Sequence, residues 1–393
     1  MTALSRTAQT FAPPVMAARR WLDGVTFPPD RPLINVSQAA PSDPPPEPLR
    51  RVIAEAALNT PEAHLYGPVL GLPELRAEIA RQWQDAYGGE IADTQVAVTS
   101  GCNQAFCATI AAICNQGDEV ILPTPWYFNH KMWLDMAGIT SVALSTGTDL
   151  LPDPERAANL VTDRTRAIVL VTPNNPGGIE YPADLVETFY ALAKSRGISL
   201  IIDETYRDFD ARSGAPHMLF EDPDWAQTLI HLYSFSKAFR LTGHRVGAVI
   251  ADHNLLMELE KFLDTVAICP NQLGQMAALW GLRNMAQWCA GEREEILDRR
   301  AAIKEHWPAM ANAGWQLQGL GAFFAYVRHP FTLPSDKLAP TLVRDAGILL
   351  LPGTMFYPEG DARAPHELRI AFANIDRGGI KTLFERLPTL KIA

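Results

Sequence analysis

Cysteine is scarce in this chain and follows no pattern that would build a disulfide framework or a thiolate metal site. The 393 residues include five cysteines, an odd number, and none belongs to a Cys-x-x-Cys pair. They are Cys102, Cys107, Cys114, Cys269 and Cys289. The sequence therefore predicts reduced thiols. Cys107 and Cys114 lie in an apolar helical stretch, which favours burial of these two thiols over metal binding.

Long apolar stretches and basic runs are also missing. The best apolar run, residues 105–114, is shorter than the ~18 residues of a transmembrane helix, and residues 1–20 lack the apolar core of a secretion signal. The chain has 34 Lys and Arg against 44 Asp and Glu, a net charge of −10. This balance argues against nucleic acid or an anionic membrane as a partner. We expect a soluble cytoplasmic protein in which local cations and backbone amides can still bind a small anion.

The length of the chain predicts more than one hydrophobic core. A single core stops growing at ~250–300 residues, and this chain is longer and 47% hydrophobic. Residues 1–48 are rich in proline and predict an arm that lies on other structure. We expect a large domain at residues 49–280 and a smaller α+β domain at 281–393, which the arm joins.

Short apolar runs alternate with helical stretches along the expected large domain. A helix is predicted from Pro73, a favoured first-turn residue, up to Gly88, a favoured stop. Seven runs rich in Val, Ile and Leu predict strands at residues 95–99, 119–122, 141–144, 167–172, 199–203, 229–234 and 246–251. This alternation is typical of an α/β fold with a mostly parallel sheet covered on both faces. A long helical stretch near residues 254–305 follows.

Polar residues concentrate where several of these predicted strands end. The segments concerned are Ser-Gly-Cys-Asn at 100–103, Pro-Asn-Asn-Pro-Gly-Gly at 173–178, Asp-Glu-Thr-Tyr at 203–206 and Ser-Phe-Ser-Lys at 234–237, with Arg245 close behind. Ligands of open α/β sheets bind outside the carboxyl ends of the strands. Helix-start amides, two hydroxyls, a lysine and an arginine together indicate a phosphate site beside a reactive amine. Asp203 is suited to steady a cationic ring nitrogen.

The order and spacing of these motifs resemble the class I and II family of fold-type I aminotransferases, which use pyridoxal 5′-phosphate. The matching segments are Ser234-x-Ser-Lys237-x7-Arg245-x-Gly247, Asn175-Pro-Gly-Gly178, Asp203-Glu-Thr-Tyr206, Tyr66-x4-Gly71 and Leu368-Arg369-Ile370. They are similar to the family's SxSK…GxRxG signature, NPTG turn, DExY motif, Y-x4-G segment and C-terminal landmark. The resemblance covers residues 34 to 372. It implies a large domain with a mostly parallel seven-stranded sheet and a smaller α+β domain.

The resemblance also implies roles for the matching residues around the cofactor ring. Lys237 would bond to the cofactor aldehyde and, once freed, move a proton at the substrate α-carbon. Asp203 would hold the ring nitrogen protonated. Asn175 and Tyr206 would hydrogen-bond the phenolic oxygen, and Tyr127 would stack on one face of the ring.

The remaining implied contacts concern the phosphate, the substrate carboxylate and a second subunit. The phosphate would be bound by Gly101, Cys102, Asn103, Ser234, Ser236 and Arg245. Arg369 would clamp the substrate α-carboxylate with two parallel hydrogen bonds. Tyr66 would reach the phosphate of the partner subunit in a symmetric homodimer. No metal is implied.

Two segments depart from the pattern or stand outside it. Ala39 and Ala40 occupy positions where the family has a glycine that approaches the substrate carboxylate, so we expect their methyl groups to narrow the pocket. His130 and Lys131 follow Tyr127 closely, but we expect them on a solvated helix face rather than in the site.

The leading hypothesis is an aminotransferase that moves an amino group from an L-amino acid to a 2-oxo acid by a two-step ping-pong cycle. A carbon–sulfur β-lyase on the same scaffold is the alternative, because the motifs around the cofactor do not separate the two reactions. A cofactor-binding regulator is disfavoured, since it needs a DNA-binding module with a basic recognition helix. Neutral or aromatic substrates are expected, because aromatic residues such as Trp126, Phe323 and Phe356 surround the predicted site and no second cation is placed for a dicarboxylate.

Overall fold

The computed structural model describes residues 5–41 and 43–390 of the chain. The strands in these ranges are β1 (Ile34–Asn35), β2 (Val96–Thr99), β3 (Glu119–Thr124), β4 (Thr140–Ser145), β5 (Thr165–Val171), β6 (Ser199–Asp203), β7 (Leu229–Ser234), β8 (Gly247–Ile250), β9 (Gln316–Gly321), β10 (Phe324–Arg328), β11 (Ile348–Leu349), β12 (Leu351–Pro352) and β13 (Glu367–Ala371). The α-helices there are α1 (Pro14–Arg19), α2 (Glu47–Asn59), α3 (Pro73–Tyr87), α4 (Cys102–Ile113), α5 (Phe128–Ala137), α6 (Pro154–Leu160), α7 (Ala183–Arg196), α8 (Phe235–Ala238), α9 (His253–Ala267), α10 (Gln272–Asn284), α11 (Ala286–Asn312), α12 (Ser335–Thr341) and α13 (Arg377–Arg386). Short 3₁₀ turns connect many of them.

The seven predicted strands form one sheet, in the order β2-β8-β7-β6-β5-β3-β4. The neighbours from β7 to β4 pair in parallel, whereas β8 is antiparallel to both β7 and β2. Side chains alternate between two cores, so that Leu200 and Ile202 of β6 pack on one face and Ile201 packs on the other. The prediction of a mostly parallel sheet covered on both faces is confirmed.

A second, smaller sheet lies in the C-terminal part of the chain. Its antiparallel order is β12-β13-β10-β9, and it contributes to a core with residues such as Phe324, Leu368 and Leu383. β1, in the proline-rich arm, pairs in parallel with β11, and the carbonyl of Val36 accepts a hydrogen bond of 2.8 Å from the amide of Ala371. The boundaries predicted near residues 49 and 281 fall inside α2 and α10, and the division into domains stays a prediction.

The helices follow the stop signals in the sequence closely. α3 begins at Pro73 and ends before Gly88, whose φ of 71° suits glycine. The helical stretch near residues 254–305 is divided into α9, α10 and the start of α11. α9 ends because Ile268 has a φ of 62° and Pro270 follows within two residues.

The structure agrees with the predictions that rest on scarce cysteine and short apolar runs. All five cysteines are free thiols, and burial raises the pKa of Cys107 and of Cys114 to about 12. Among the helices in the described ranges, none combines the length and the apolar character needed to cross a bilayer.

Close backbone contact joins β9 to the turn at residues 173–178. A Cβ atom on Gly321 would lie 2.2 Å from the carbonyl oxygen of Gly178, and one on Gly319 would lie 2.1 Å from that of Gly177. These distances are far inside van der Waals contact, so glycine is required at both positions. The contact fixes the smaller sheet against the turn that contains Asn175.

We expect Gly321→Ala to lower the free energy of unfolding by about 1–3 kcal/mol, because the methyl group overpacks this contact. Gly291 provides a matched control, since it is exposed on α11 and an added Cβ there would meet nothing within 4 Å. Gly291→Ala should raise the free energy of unfolding by about 0.5–1 kcal/mol, because alanine favours a helix. Chemical denaturation measures both changes, and a Gly321→Ala variant as stable as the wild type would contradict the close approach.

Candidate active site

A cavity of about 740 Å³ lies at the carboxyl ends of the large-sheet strands and is closed on one side by the arm and by β13. Twelve of the predicted site residues line it, namely Ala39, Cys102, Asn103, Tyr127, Asn175, Asp203, Tyr206, Ser234, Ser236, Lys237, Arg245 and Arg369. Gly101 is not a lining residue, but it packs against the guanidinium of Arg245. Tyr66 is not among the lining residues and is 80% exposed on the surface.

Hydrogen-bond donors lie close together at one end of the cavity, near the start of α4. The Nη1 atom of Arg245 donates to Ser236 Oγ at 3.2 Å and to the Thr242 carbonyl at 3.1 Å. A Cβ atom on Gly101 would lie 2.1 Å from Arg245 Nη2, so the glycine leaves the space that the guanidinium fills. The helix start, a serine hydroxyl and an arginine fork therefore face the same volume, which suits a phosphate group.

Lys237 lies near the middle of the cavity, on the short helix α8 that follows β7. Its Nζ atom donates to the carbonyl oxygen of Ala39 at 2.6 Å and lies 5.7 Å from the ring centre of Tyr206. Burial lowers the pKa of the Lys237 amine to about 8, and the positive charges of Arg245 and Arg369 act in the same direction. A larger fraction of this amine than of an ordinary lysine is therefore unprotonated near neutral pH.

Asp203 ends β6 and is 3% exposed. Its Oδ1 atom accepts a hydrogen bond of 3.0 Å from the amide of Thr205, and its Oδ2 atom lies 3.3 Å from His130 Nε2. Burial alone would raise the pKa of Asp203, but the His130 imidazole and Thr205 outweigh it and lower the pKa below its usual value. The carboxylate is therefore ionised and faces the cavity.

The prediction that His130 lies on a solvated helix face is wrong. His130 is 2% exposed and stacks on Phe106, with 3.9 Å between the ring centres. Lys131, placed on the same face by the prediction, is half-buried and pairs with Asp135. The spacing of three residues from Tyr127, which directly precedes α5, to His130 in its first turn was the available signal, because residues three apart share one side of a helix.

Arg369 is 2% exposed on β13 and is held by neutral oxygens. Its Nη1 atom donates to Asn175 Oδ1 at 2.8 Å and its Nη2 atom to the Ser37 carbonyl at 2.5 Å. The guanidinium lies 5.1 Å from the ring centre of Phe324. Burial lowers the pKa of Arg369 to about 10, and the group is still positively charged at neutral pH.

Two tyrosines border the space between these groups. The hydroxyl of Tyr127 donates to Asn103 Oδ1 at 3.2 Å, and its ring meets the His130 ring edge to face. Tyr206 is 4% exposed and packs edge to face against Phe323 and Phe324. Burial raises the pKa of both tyrosines, so both hydroxyls are protonated and can donate.

The structure adds lining residues that were not among the predicted site residues. They are Val15, Asn35, Gln38, Phe128, Asn129, Thr205, Thr242 and Asn374, together with Ala40, Pro41 and Val171. Most of the first group belong to the arm or to connections whose path depends on the assembled fold. No spacing rule predicts that the arm reaches a strand end. Thr205 and Ala40 are different, because Thr205 lies inside the Asp-Glu-Thr-Tyr motif and Ala40 was expected to narrow the pocket.

The three cations of the cavity have neutral acceptors in the described part of the chain. Lys237, Arg245 and Arg369 donate to the carbonyls of Ala39, Thr242 and Ser37, to the Ser236 hydroxyl and to the Asn175 amide. The buried carboxylate of Asp203 is paired with His130 instead. The cavity is therefore suited to a ligand with more than one anionic group.

Comparison with known proteins gives a consistent result. Residues 31–387 match the family described as aminotransferase class I and II. The chain is 28% identical to the aromatic aminotransferase ISS1 of Arabidopsis thaliana, over 82% of this chain and 80% of that protein. It is 27% identical to the aspartate/prephenate aminotransferase of Thermus thermophilus, over 81% of each chain. The structure of Thermus thermophilus aspartate aminotransferase with maleate superposes with a TM-score of 0.87, at 26% identity and over 99% of both chains.

The family match covers most of the chain, the fold is shared over nearly its full length, and the family's motifs converge on one cavity. The chain belongs to the class I and II aminotransferase family.

Proposed function

We propose that this aminotransferase binds pyridoxal 5′-phosphate in the cavity and moves an amino group from an L-amino acid to a 2-oxo acid by a ping-pong cycle. The observation that carries the proposal is the set of three cations that line the cavity with the ionised Asp203 and that form no salt bridge among residues 5–41 and 43–390. Two of these cations match the two anionic groups that meet in such a reaction, the cofactor phosphate and the substrate carboxylate. The relatives named above are aminotransferases, which favours transfer over β-elimination.

The phosphate fits the end of the cavity at Arg245. The guanidinium and the Ser236 hydroxyl converge there with the first amides of α4, and Gly101 keeps this volume free of a side chain. A phosphate dianion is stabilised by an arginine fork and by the partial positive charge of a helix start. We assign Ser234, Cys102 and Asn103, which line the same end, to this group as well.

When bound, the cofactor supplies an electron-accepting ring that stabilises negative charge at the substrate α-carbon. Asp203 is suited to hold the ring nitrogen protonated, because the carboxylate is ionised, buried and steadied by His130 and Thr205. Tyr206 and Asn175 can both donate to an oxygen on the ring, and the Tyr127 ring offers a flat surface beside it.

Lys237 is the residue that can both attach to a carbonyl compound and carry a proton. Its lowered pKa supplies the free amine that attacks an aldehyde, and the same amine can later take a proton from the α-carbon. Arg369 orients the substrate for that step, since a bidentate guanidinium fixes the direction of an α-carboxylate. The Ser37 carbonyl and the Asn175 amide hold the guanidinium in place beforehand.

The cavity lining favours neutral or aromatic amino acids as substrates. Tyr127, Phe128 and Val15 provide apolar surface, and among the described lining residues the cations are Lys237, Arg245 and Arg369. Each of these three has a role in the proposal, so a second carboxylate on the substrate would lack a cation of its own among them.

We propose a homodimer as the active unit, with Tyr66 of each subunit reaching the phosphate of the other. Tyr66 is 80% exposed, and Leu58 and Leu65 beside it are 83% and 65% exposed. An exposed group of large apolar side chains is typical of an interaction surface.

Lys237→Ala should abolish both the absorbance that develops with pyridoxal phosphate and the conversion of an amino acid. The amine is lost, while the phosphate and carboxylate contacts remain. Lys261→Ala is a matched control, because this lysine is 71% exposed on α9, and it should keep wild-type absorbance and activity. Absorbance titration and single-turnover assays measure both properties, and an active Lys237→Ala variant would reject the proposal.

The cofactor-free enzyme should show a Lys237 amine that titrates at about pH 8, below the ordinary lysine value of about 10.4. Burial and two neighbouring cations disfavour the protonated form, so the free amine appears as the pH rises through this value. Labelling with an amine-directed reagent, read by mass spectrometry across pH, gives the midpoint. Arg369→Met removes one cation and should move the midpoint upward; a wild-type midpoint above pH 10 contradicts the assignment.

A screen of amino donors should show conversion of the bound cofactor by neutral or aromatic amino acids at least about tenfold faster than by aspartate, which corresponds to about 1.4 kcal/mol. The reason is the lack of a second cation among the described lining residues. The amount of 2-oxo acid formed per cofactor separates the two reactions. Without an acceptor, transfer stops after one turnover, whereas elimination continues and releases ammonia. Aspartate as the best donor, or continued ammonia release, would contradict the proposed substrate class or the reaction respectively.

A further inference from the structure

A fully buried carboxylate lies directly behind the active-site strand end. Glu204 follows Asp203 but belongs to the opposite face of the sheet, with Leu200 and Ile202, because side chains alternate along a strand. Glu204, Tyr87, His217 and His231, which we call the Glu204 cluster, are all 0% exposed. The cluster therefore lies in the core between the sheet and α3, outside the cavity.

Three elements contact the Glu204 carboxylate. The Tyr87 hydroxyl at the end of α3 donates to Oε2, and His231 Nε2 on β7 lies 2.8 Å from the same atom. His217 Nε2, on the connection that precedes β7, lies 3.5 Å from Oε1. A helix, a neighbouring strand and a connection thus meet at one side chain.

The two histidines present the same tautomer to Glu204. The indole N–H of Trp83 lies 3.4 Å from His231 Nδ1, and the backbone N–H of Leu219 lies 3.3 Å from His217 Nδ1. An indole and a backbone amide can only donate, so Nδ1 is the acceptor in both rings. The proton of each neutral ring is therefore on Nε2, which points to the carboxylate.

This tautomer decides between two uses of the cluster. One glutamate and two histidines at such distances could hold a metal ion. A ligating nitrogen must carry no proton, however, and Nδ1 of each ring is already occupied as an acceptor. The geometry therefore favours a carboxylate that accepts hydrogen bonds from Tyr87 and His231 at Oε2, with the N–H of His217 3.5 Å from Oε1.

The charges around the cluster fit this interpretation. Burial lowers the pKa of His217 to about 4, which keeps the ring neutral at ordinary pH. Burial alone would raise the pKa of Glu204, but His217, His231 and Tyr87 outweigh it and lower the pKa to about 2. The nearby Arg207 guanidinium, 3.9 Å from the Trp83 ring centre, provides positive charge. The neighbouring Asp208 accepts a hydrogen bond from the Tyr233 hydroxyl.

We propose that Glu204 is a positioning residue, which fixes the end of β6 through Tyr87, His217 and His231 so that Asp203 and Tyr206 face the cofactor cavity. The inference rests on the proposed function. Asp203 and Tyr206 are one and two residues from Glu204 in the sequence. A shift of the Glu204 side chain therefore moves the short stretch of backbone that carries both of them. A misplacement of about 1 Å at a catalytic group can cost about 10²-fold in rate.

Glu204→Gln tests the proposal, because the amide keeps the shape but removes the negative charge and replaces one acceptor oxygen with an NH₂ donor. That NH₂ group must face either the two donors at Oε2 or the N–H of His217 near Oε1. We expect kcat to fall at least about tenfold while the KM for the amino acid stays within about threefold. We also expect the pH midpoint of the bound cofactor's absorbance to shift by at least about half a unit, since Asp203 leaves its position. A loss of stability alone would not move the spectrum of the folded protein.

Asp222→Asn is the matched control. Asp222 accepts a hydrogen bond of 2.8 Å from the Tyr190 hydroxyl, away from the cavity, so the same change from carboxylate to amide is made at a Tyr–carboxylate pair elsewhere. Its kcat, KM and absorbance midpoint should stay at wild-type values. Tyr87→Phe removes one donor and keeps the Glu204 anion, so it should give an intermediate decrease in kcat. If Glu204→Gln does not fold, this variant tests the positioning role in its place.

The outcomes separate this inference from the proposed function. A wild-type enzyme without cofactor absorbance rejects the proposed function itself. A wild-type enzyme with that absorbance, together with folded Glu204→Gln or Tyr87→Phe variants that match it in kcat and pH midpoint, rejects the positioning role alone. Zinc that survives dialysis against a chelator in the wild type and is lost in His217→Asn would also overturn the inference, in favour of a metal site.

Discussion

The meeting of three cations and one ionised carboxylate in a single cavity is the constraint on which the rest of the site depends. Arg369 is buried and Lys237 is half-buried, whereas Arg245 remains exposed. Removing a charge from water is costly, and no salt bridge of the described residues offsets this cost for Lys237 or Arg369. Neutral oxygens of the arm, of the turn at 173–178 and of α8 supply the hydrogen bonds instead. These oxygens come from distant parts of the sequence, so the site exists only when the arm and both sheets have assembled around it.

The strand β6 shows how one short segment meets two opposite requirements. Asp203 must face a polar cavity and remain ionised, whereas the segment that follows it must be anchored in an apolar core. Alternation along the strand satisfies both, because Glu204 points to the opposite side, where Tyr87 and His231 hydrogen-bond it and His217 lies 3.5 Å away. Burying a second carboxylate would be costly without those donors, which explains why two histidines and a tyrosine are found in an otherwise apolar layer.

The sequence predicted well those features that depend on local pattern. All seven strands of the large sheet and the limits of α3 follow from apolar runs, proline and glycine. The twelve predicted site residues in the cavity include Ala39 of the arm and Arg369 of β13, which the family resemblance supplied and the strand ends did not. The sequence failed where position depends on tertiary contacts. His130 looked like a surface residue because a helix of mixed polarity leaves its buried face ambiguous, and the carbonyls of Ser37 and Ala39 carry no side-chain signal at all.

The arm contacts both Arg369 and Lys237, which have different tasks in the proposed reaction. The Ser37 carbonyl accepts from Arg369, which would bind the substrate, and the Ala39 carbonyl, two residues along, accepts from Lys237. The pairing of β1 with β11 and the bond from Ala371 to Val36 fix this segment to the smaller sheet. A carboxylate that competes for the Arg369 guanidinium therefore acts on the same stretch of backbone that holds the lysine amine. In the proposed reaction, substrate binding and release of that amine would be linked through three residues of the arm, in addition to the positive charge of Arg369, which lowers the pKa of Lys237.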